Sequence, residues 1–397
     1  MTEVNGPAFS PARVRGEWTP GGLMKKRNAS GKPLGQSATI LDVARHAGVS
    51  TATVSRVVAA PERVSEATRR RVLKAIADIG YTPNVSARNL RAKSTKMVLA
   101  LVPGMSNSFF SPILNAVEDV LSEAGYGLII GDTRNSSQRE THYARLIRAG
   151  QVDGVILLTG HLPRDENKAS IEGIVPISLI CIEIPGARFP TFDIANRQAA
   201  RQMVEFLLSM GHKRIGHITG PVKQNPESRE RLNGYQEALS AAGIPLDESL
   251  VWDGDFFATS GYAAARRFFA TQDRPTAVFA GNDEMAMSFI KGLTDNGVSV
   301  PGDVSVTGFD DISGLELFIP ALTTMRQPRA EMGRRAALDL LERLSANSEA
   351  PPPRHERLDC ALIVRDSVRR IGTAPAPAKT RGRRTGNSLV DRSDVPA

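Results

Sequence analysis

The sequence has little cysteine and no long hydrophobic run. Its two cysteines, Cys181 and Cys360, are too few and too far apart for a disulfide framework or a cysteine-based zinc site, and we expect both to be buried, unreactive thiols. No stretch of about 18 apolar residues is present, which excludes an ordinary transmembrane helix. Because the amino terminus also lacks the regions of a secretory signal, we expect a cytoplasmic protein without a membrane partner.

Motifs that mark common enzyme classes are absent as well. No GxxxxGK[ST] loop is found, no GxGxxG follows the first predicted strand, and no GxSxG nucleophile turn appears. The histidines do not have the spacing of a metal site. They are His46, His142, His161, His212, His217 and His355. The sequence therefore predicts a protein that is not an enzyme and that requires no cofactor or metal.

Positive charge is unevenly distributed along the chain. Residues 38–96 hold 11 Lys and Arg against 4 Asp and Glu, whereas residues 97–366 hold 26 against 34. This division favours phosphate contact by one part of the chain only, with an affinity that falls steeply as salt rises. We expect residues 1–37 and 367–397, which are poor in large apolar side chains, to be disordered tails. A true start of the protein nearer Thr39 is the alternative for the first tail.

Residues 38–82 carry the start and stop signals of three short helices. Thr39 begins a capping-box pattern, and Gly48 can end the first helix in a left-handed conformation. Ser50 can cap a second helix, and Ser65 can begin a third. This order predicts a helix-turn-helix domain that binds DNA.

The second helix has an apolar face and a polar face. Val54, Val57 and Val58 recur at spacings of three and four and are expected to face the core. An arginine on the other face can contact guanine O6 and N7 together, which discriminates against other bases by about 1 to 3 kcal/mol. Pairing with a phosphate or a carboxylate is the alternative for this arginine. The face available to a DNA groove holds Thr51, Ala52, Ser55 and Arg56.

From residue 96 onward, short apolar runs alternate with helical stretches. The candidate buried strands are MVLALV, YGLIIG, GVILL, ISLIC, RIGHITG, TAVFAG and VSVTGF. This alternation predicts an α/β fold in which helices cover both faces of parallel sheets. Ligands bind beyond the carboxyl ends of such strands. Side chains that could stack on a ring or bind hydroxyl groups follow several of these runs, among them Phe109, Phe110, Asn282 and Asp310.

About five sixths of the chain resembles the lactose/galactose-repressor (LacI/GalR) family of bacterial transcription regulators. The resemblance rests on TILDVARHAGVSTATVSRVV and on core segments such as NSFFSPI, MGHKRIGHITGP, RERLNGYQEAL, RPTAVFAGNDEMA and VPGDVSVTGFDDI. It implies a helix-turn-helix headpiece joined to a two-lobed core similar to periplasmic sugar-binding proteins. The segments IGDTRNSSQRE and GDFFATSGY look nearest to cytidine-responsive members. A nucleoside or a sugar is therefore the implied effector.

The resemblance also implies roles for individual residues. Thr51, Ala52 and Arg56 would read bases, and PNVSARNLR would be a hinge helix that orders on DNA. Leu90 of that helix, followed by Arg91, would enter the minor groove and bend it; a linker leucine packed on the core is the alternative. The positions that match the family's effector pocket are Phe109, Phe110, Glu183, Arg231, Phe256, Asn282 and Asp310.

For some of the pocket residues, a purely structural role is the alternative. Phe109 and Phe256 could be ordinary core aromatics, and Arg231 could be a surface arginine. We expect Asp311, beside Asp310, to cap the next turn instead of binding the effector.

The expected organisation follows from the patterns and the resemblance together. It comprises a basic tail (1–37), a helix-turn-helix domain (38–82), a hinge helix and linker (83–95), a core (96–366) and a second tail (367–397). Lobe 1 of the core is expected over about 96–195 and 326–354, and lobe 2 over about 196–325 and 355–366.

The expected function is sequence-specific regulation of transcription, usually repression. A small-molecule effector closes the lobes and changes the affinity for double-stranded operator DNA. Since such proteins read paired half-sites, we expect a homodimer, with a tetramer left open. The alternatives are a periplasmic-type sugar-binding protein, which would need an export signal and no headpiece, and a nonspecific DNA-binding protein, for which operator and random DNA would bind equally.

Overall fold

The computed structural model describes residues 38–81, 94–184, 186, 188–346 and 351–372. The chain divides into two compact units, Met1–Lys93 and Ser94–Ala397. The expected hinge helix, with Leu90 and Arg91, lies outside the described residues, and so does the first tail.

The described part of the first unit is a three-helix domain. Its helices are α1 (Ile40–Ala47), α2 (Thr51–Ala59) and α3 (Glu66–Ile79), with a 3₁₀ turn at Pro61–Arg63. The predicted helix ends are confirmed, because the amide of Thr39 donates to Asp42 Oδ2 (2.9 Å) and Gly48 is left-handed with φ 61°. Ser50 Oγ accepts from the amide of Thr53 at 3.1 Å, which caps α2.

A small apolar core holds the three helices together. Its buried side chains are Val43, Ala44, Ala47, Val54, Val57, Val72 and Ala75. Val54 and Val57 are therefore inside as predicted, whereas Val58 is only half-buried. Because the inward face of α2 is occupied by these valines, its opposite face is left to solvent.

Six parallel strands form the larger sheet of the second unit. Their order is β11-β5-β4-β3-β1-β2. The strands are β1 (Met97–Val102), β2 (Gly127–Asp132), β3 (Gly154–Leu157), β4 (Ile177–Ile180), β5 (Thr191–Ile194) and β11 (His355–Leu358). Leu99 of β1 lies between Ile129 and Val155 in the register. β1 is therefore an interior strand of the larger sheet, with β2 on one side and β3 on the other.

The smaller sheet has four parallel strands in the order β7-β6-β8-β9. They are β6 (Ile215–Ile218), β7 (Val251–Trp252), β8 (Ala277–Ala280) and β9 (Ser305–Thr307). Two further strands, β10 (Thr324–Arg326) and β12 (Ala361–Ile363), pair antiparallel. The predicted α/β class with parallel sheets is confirmed.

Seven α-helices of the second unit pack against these sheets in the described residues. They are α4 (Ser111–Glu123), α5 (Ser137–Arg148), α6 (Asn196–Ser209), α7 (Pro226–Ala241), α8 (Ala258–Ala270), α9 (Asp283–Thr294) and α10 (Arg329–Ser345). The pairs α4 with α10, α6 with α7, and α8 with α9 lie side by side. Each pair flanks one sheet, so the unit has two lobes.

The chain passes between the lobes three times. It leaves the first sheet after β5, returns between β9 and α10, and leaves again after β11. The last passage differs from the expected boundary at residue 355, because β11 pairs in parallel with β5 of the first sheet. Three short connections therefore join the two lobes within the second unit.

Residues 367–372, which the composition assigns to the second expected tail, are held against the second lobe. Ser367 is fully buried and its Oγ donates to the carbonyl of Val306 (2.6 Å), while the amide of Ile371 donates to the carbonyl of Met210 (2.8 Å). These bonds fix residues 367–372 against the second lobe. The expectation of disorder from residue 367 was wrong for this stretch, and residues 373–397 lie outside the described residues.

Candidate functional site

A cavity of about 580 Å³ lies at the carboxyl ends of strands from both sheets. Its walls come from the loops after β1, β3 and β4 on one side and from the loops after β6 to β9 on the other. A cavity of this size suits a ligand of one or two rings. The expected effector residues that line it are Phe109, Phe110, Arg231, Phe256, Asn282 and Asp310.

Aromatic rings stand on both walls. Phe109 and Phe110 are in edge-to-face contact, with ring centroids 5.2 Å apart, and the second ring is only half-buried. On the opposite wall, Phe256 has a positive φ of 71° and lies 5.8 Å from the guanidinium of Arg231. Half-exposed rings on facing walls can stack on the two faces of a flat ligand.

Arg231 is buried in the cavity wall, so the alternative of a surface arginine is wrong. It comes from α7, which Asn225 caps by accepting from the amide of Ser228 at 2.7 Å. Its Nε donates to Asn196 Oδ1 (2.9 Å) and its Nη1 to the carbonyl of Gly281 (2.6 Å). The guanidinium also lies 3.8 Å above the ring of Phe309.

Asp310 is held beside this guanidinium. Its Oδ1 lies 3.9 Å from Arg231 Nη1 and accepts from Gln327 Nε2 at 2.7 Å. Burial raises the pKa of Asp310 to about 6, against the opposing effect of Arg231. At neutral pH the side chain is therefore mostly a carboxylate, which accepts hydrogen bonds from hydroxyl or amino groups.

Asn282 has a supporting position in the same wall. Its Oδ1 accepts from the amide of Met285 (3.0 Å) and so caps α9, while its Nδ2 donates to the carbonyl of Phe256 (2.9 Å). Both ends of the amide are thus engaged within the protein. Asn282 holds the Phe256 loop in place as well as lining the cavity.

The structure does not bring Glu183 into the cavity. Its side chain is 53% exposed, lies 3.9 Å from Arg357 and lines a neighbouring polar groove, which shares only Asp193 and Glu227 with the cavity. Only its backbone amide points toward the wall, where it donates to Glu227 Oε1 at 3.0 Å. Asp311 likewise does not cap a turn through its carboxylate, which binds Arg326 (2.6 Å) and Arg365 (2.7 Å).

Several lining residues were not predicted from the sequence. They include Thr159, His161, Cys181, Asp193, Glu227 and Gln327. Cys181 ends the apolar run ISLIC, so its position after a strand was a usable signal. No sequence signal marked Glu227 as a cavity residue, because an acidic residue in the first turn of a helix is common.

The cysteines are half-buried instead of fully buried. Burial raises the pKa of both thiols, that of Cys360 to about 12. Both sulfurs are therefore protonated at neutral pH, which fits the expected low reactivity.

The outer face of α2 is the candidate DNA interface. Ala52 and Arg56 are exposed, and Thr51 and Ser55 are half-buried at the same face. Within the described part of the chain, the Arg56 side chain forms no ion pair, which argues against the carboxylate alternative. Its guanidinium is left to contact bases or phosphates.

Two searches of the described residues bear on other functions. No group of three or more His, Cys, Asp and Glu residues there could hold a metal ion. None of the described helices combines the length and apolar character needed to cross a membrane.

A helix-turn-helix unit and a two-lobed α/β unit with a ligand-sized cavity, carried on one chain, define a DNA-binding regulator that responds to a small molecule. Comparisons with known proteins agree with this class. The model of bacterial regulatory proteins of the lacI family matches residues 39–84, and that of the periplasmic binding protein-like domain matches residues 204–368. The HTH-type transcriptional repressor CytR of Escherichia coli (strain K12) is 38% identical over 335 residues, covering 84% of this chain and 97% of that protein. The chain belongs to the LacI family.

Solved structures of relatives extend the comparison to ligand and DNA. The complex of the transcriptional regulator CelR with cellobiose is 33% identical, has a TM-score of 0.63, and covers 83% of this chain and 99% of that one. The Lac repressor dimer bound to operator and the anti-inducer ONPF is 26% identical and has a TM-score of 0.72. The match covers 84% of this chain and 100% of that one. This protein is thus a sequence-specific, effector-responsive transcriptional regulator, and its relatives are regulators and not enzymes.

Proposed function

We propose that a nucleoside binds in the cavity and changes the affinity of the helix-turn-helix unit for operator DNA. One observation carries this proposal: half-exposed rings on facing walls flank a buried carboxylate and guanidinium. A nucleoside offers a flat base to the rings and ribose hydroxyls to Asp310. The 38% identity with CytR supports the same class. A sugar is the second candidate, since the CelR relative was solved with cellobiose.

The coupling to DNA is proposed to act through the two lobes. A ligand that touches both walls stabilises the closed arrangement of the lobes over the open one, and it shifts the protein between two states only by that difference in affinity. The three connections between the lobes are the segments that would bend. By thermodynamic linkage, operator DNA then changes the effector affinity by the same factor.

For DNA, we propose that Thr51, Ala52, Ser55 and Arg56 face base edges. Leu90 and Arg91, in the stretch outside the described residues, are proposed to contact the minor groove. The proposed divisions are a DNA-binding domain over 38–82, a hinge over 83–95 and an effector core from residue 96. We place the lobe boundary near residue 355 after β11, because β11 pairs with β5 of the first sheet.

A ligand panel tests the effector class. We expect a nucleoside to raise the thermal unfolding temperature of the purified protein, since a ligand at about 100 times its dissociation constant stabilises by about 2.7 kcal/mol. The panel should contain nucleosides, purines, pentoses and hexoses, and the active compound should then shift operator binding in a fluorescence anisotropy titration. A hexose that acts where nucleosides fail would replace the nucleoside by a sugar, and no active compound at all would contradict the cavity assignment.

We further propose that the protein is a homodimer that uses an apolar loop of the second lobe. Leu317 and Ile319 are 81% and 90% exposed, next to the half-buried Phe318. Two large apolar side chains held so far out of the protein are typical of an interaction site. A two-fold axis at this loop would bury each copy's side chains against the other.

Ile319→Asp is expected to convert the dimer to a monomer, because two carboxylates would be buried at the two-fold axis. Light scattering of the purified protein measures the change in mass. Leu246→Asp, at another exposed leucine of the same lobe, is the matched control and should remain dimeric. A wild-type protein that is already monomeric would contradict the proposal.

A further inference from the structure

Glu227 is a buried carboxyl group in the cavity wall with part of its hydrogen-bonding capacity unused. It is the second residue of α7 and only 5% exposed. Its Oε1 accepts from the amide of Glu183 at 3.0 Å, whereas its Oε2, also buried, finds no partner among the described residues. An unpaired buried acceptor destabilises a fold, so its presence in a ligand cavity needs an explanation.

The charges around Glu227 are unbalanced. Asp193, from the end of β5, and Asp310, from the loop after β9, line the same cavity. Among the described lining residues, Arg231 from α7 is the arginine that faces these carboxyl groups, and it also donates to Gly281 and Asn196. Arg357 and His355 act on Asp193, and Arg329 acts on Asp310, from outside the lining. Cys181, from the loop after β4, adds no charge while its thiol stays protonated. Among the described lining residues of this part of the wall, three carboxyl groups therefore face one arginine.

This excess decides which ligands fit. A phosphate ester would bring further negative charge against buried carboxyl groups, whereas an uncharged ligand with amino or hydroxyl donors would pair with them. The remaining basic group of the cavity, His161, is already bound to Glu140 at 2.7 Å. It leaves no free cation for a phosphate among the described lining residues.

We propose that Glu227 is a specificity-determining residue of the effector site, whose Oε2 accepts a hydrogen bond from an amino or hydroxyl group of an uncharged effector and helps to reject phosphorylated compounds. The inference rests on the proposed function, since it assumes that the effector occupies this cavity. Nothing in the sequence pattern distinguishes Glu227 from the ordinary acids of a first helical turn. Its burial and its unpaired oxygen carry the assignment.

The same geometry makes effector binding depend on pH. Burial, and next the neighbouring charge of Asp193, raise the pKa of Glu227 to about 7, against the opposing effect of Arg231. Only the ionised carboxylate accepts the donor fully, so below neutral pH the effector must displace a proton. We expect the affinity to fall by up to about tenfold for each pH unit below 7.

Calorimetric titration with cytidine and cytidine 5′-monophosphate tests this assignment. Wild-type protein should bind cytidine at least about tenfold more tightly than the monophosphate, and more tightly at about pH 8 than at about pH 6. Glu227→Gln puts an amide donor where the acceptor was, and should weaken cytidine binding by about 10- to 100-fold. Since Asp193, His161 and Asp310 also titrate in this cavity, the contribution of Glu227 is the difference between the pH profiles of the wild type and of Glu227→Gln.

A matched control and a stability measurement separate ligand contact from a structural role. Glu230→Gln changes an acid on the same helix that is partly exposed and paired with Arg197, so it should keep the wild-type affinity and pH profile. Glu227→Gln removes a buried charge, and its ligand-free unfolding temperature at about pH 8 should equal or exceed that of the wild type. A residue that was only structural would instead lower it.

The possible failures can be told apart. If the wild type binds cytidine but Glu227→Gln binds it with the same affinity and pH profile, or if the monophosphate binds as tightly as cytidine, the role of Glu227 is refuted and the proposed function stands. If the ligand panel identifies a sugar, the sugar and its phosphate ester replace the two probes. If the wild type binds no compound of the panel, the proposed function fails and this inference fails with it.

Discussion

Asp310→Asn is expected to weaken effector binding by about 10- to 100-fold and to leave operator binding by the ligand-free protein unchanged. The substitution keeps the shape of the side chain but removes the charge that faces Arg231 and the effector. A hydrogen bond to a charged group contributes about 1.5 to 3 kcal/mol, which corresponds to a loss of affinity of about 10- to 100-fold. Arg231 keeps its bonds to Asn196 and to the carbonyl of Gly281 in this variant. Asparagine also tolerates the positive φ of 121° at this position better than most residues, so the loop should keep its conformation.

Calorimetry of effector binding and fluorescence anisotropy with labelled operator measure the two halves of this prediction. Asp253→Asn, at an exposed aspartate of the same lobe outside the cavity, should retain both activities. A normal effector response in Asp310→Asn would show that the carboxylate does not contact the ligand. Loss of both activities would indicate misfolding instead of a local effect.

Arg56→Ala is expected to weaken binding to the specific operator by about 30-fold or more, with a much smaller effect on random DNA. A bidentate contact to guanine discriminates by about 1 to 3 kcal/mol, and a dimer makes the contact in two half-sites. Effector binding should not change, because the described part of the core is a separate compact unit.

Competition between operator and random duplexes at fixed salt measures this specificity. Arg70→Ala is the control, since Arg70 is an exposed arginine of α3 paired with Glu66 and lies off the α2 face. An equal loss of affinity for operator and random DNA in Arg56→Ala would mean that the guanidinium contacts phosphate, and the base-reading role would be wrong.

The elements that the sequence predicted best depend on neighbours close in the chain. The ends of α1 and α2 follow from Thr39, Gly48 and Ser50, which act within one turn of the helix they begin or end. The core strands follow from short buried runs, and Asn282 and Asp310 were found because they come directly after such runs. Interactions between residues close in the chain were sufficient to predict these elements.

The errors arose where distant parts of the chain meet. Glu183 follows β4 closely, yet its side chain turns toward Arg357 on the last part of the core. Glu227 and Asp193 approach each other only because the first turn of α7 is brought against the end of β5. The ordered stretch 367–372 depends on pairing with residues of the second lobe, which its composition does not reveal.

Backbone conformation also limited how much of the cavity could be predicted from the sequence. Cys181, Phe256 and Asp310 all line the cavity and all have positive φ, a conformation that residues other than glycine adopt at a cost of about 1 to 3 kcal/mol. Cysteine and phenylalanine rarely adopt this conformation, whereas aspartate tolerates it better than most residues. The surrounding fold imposes the conformation, and the cavity wall obtains its side-chain directions from it.

The position of β11 at the edge of the larger sheet has a consequence for synthesis on the ribosome. Residues 355–358 emerge only after residues 196–325 of the second lobe have been made, so β5 remains an open edge while the residues of α1 to α3 are already free to fold. A polypeptide that terminates before residue 355 would carry an intact DNA-binding unit and an unpaired strand at Thr191–Ile194. Such an edge is a template for association with other chains, so late nonsense mutations should yield aggregating protein.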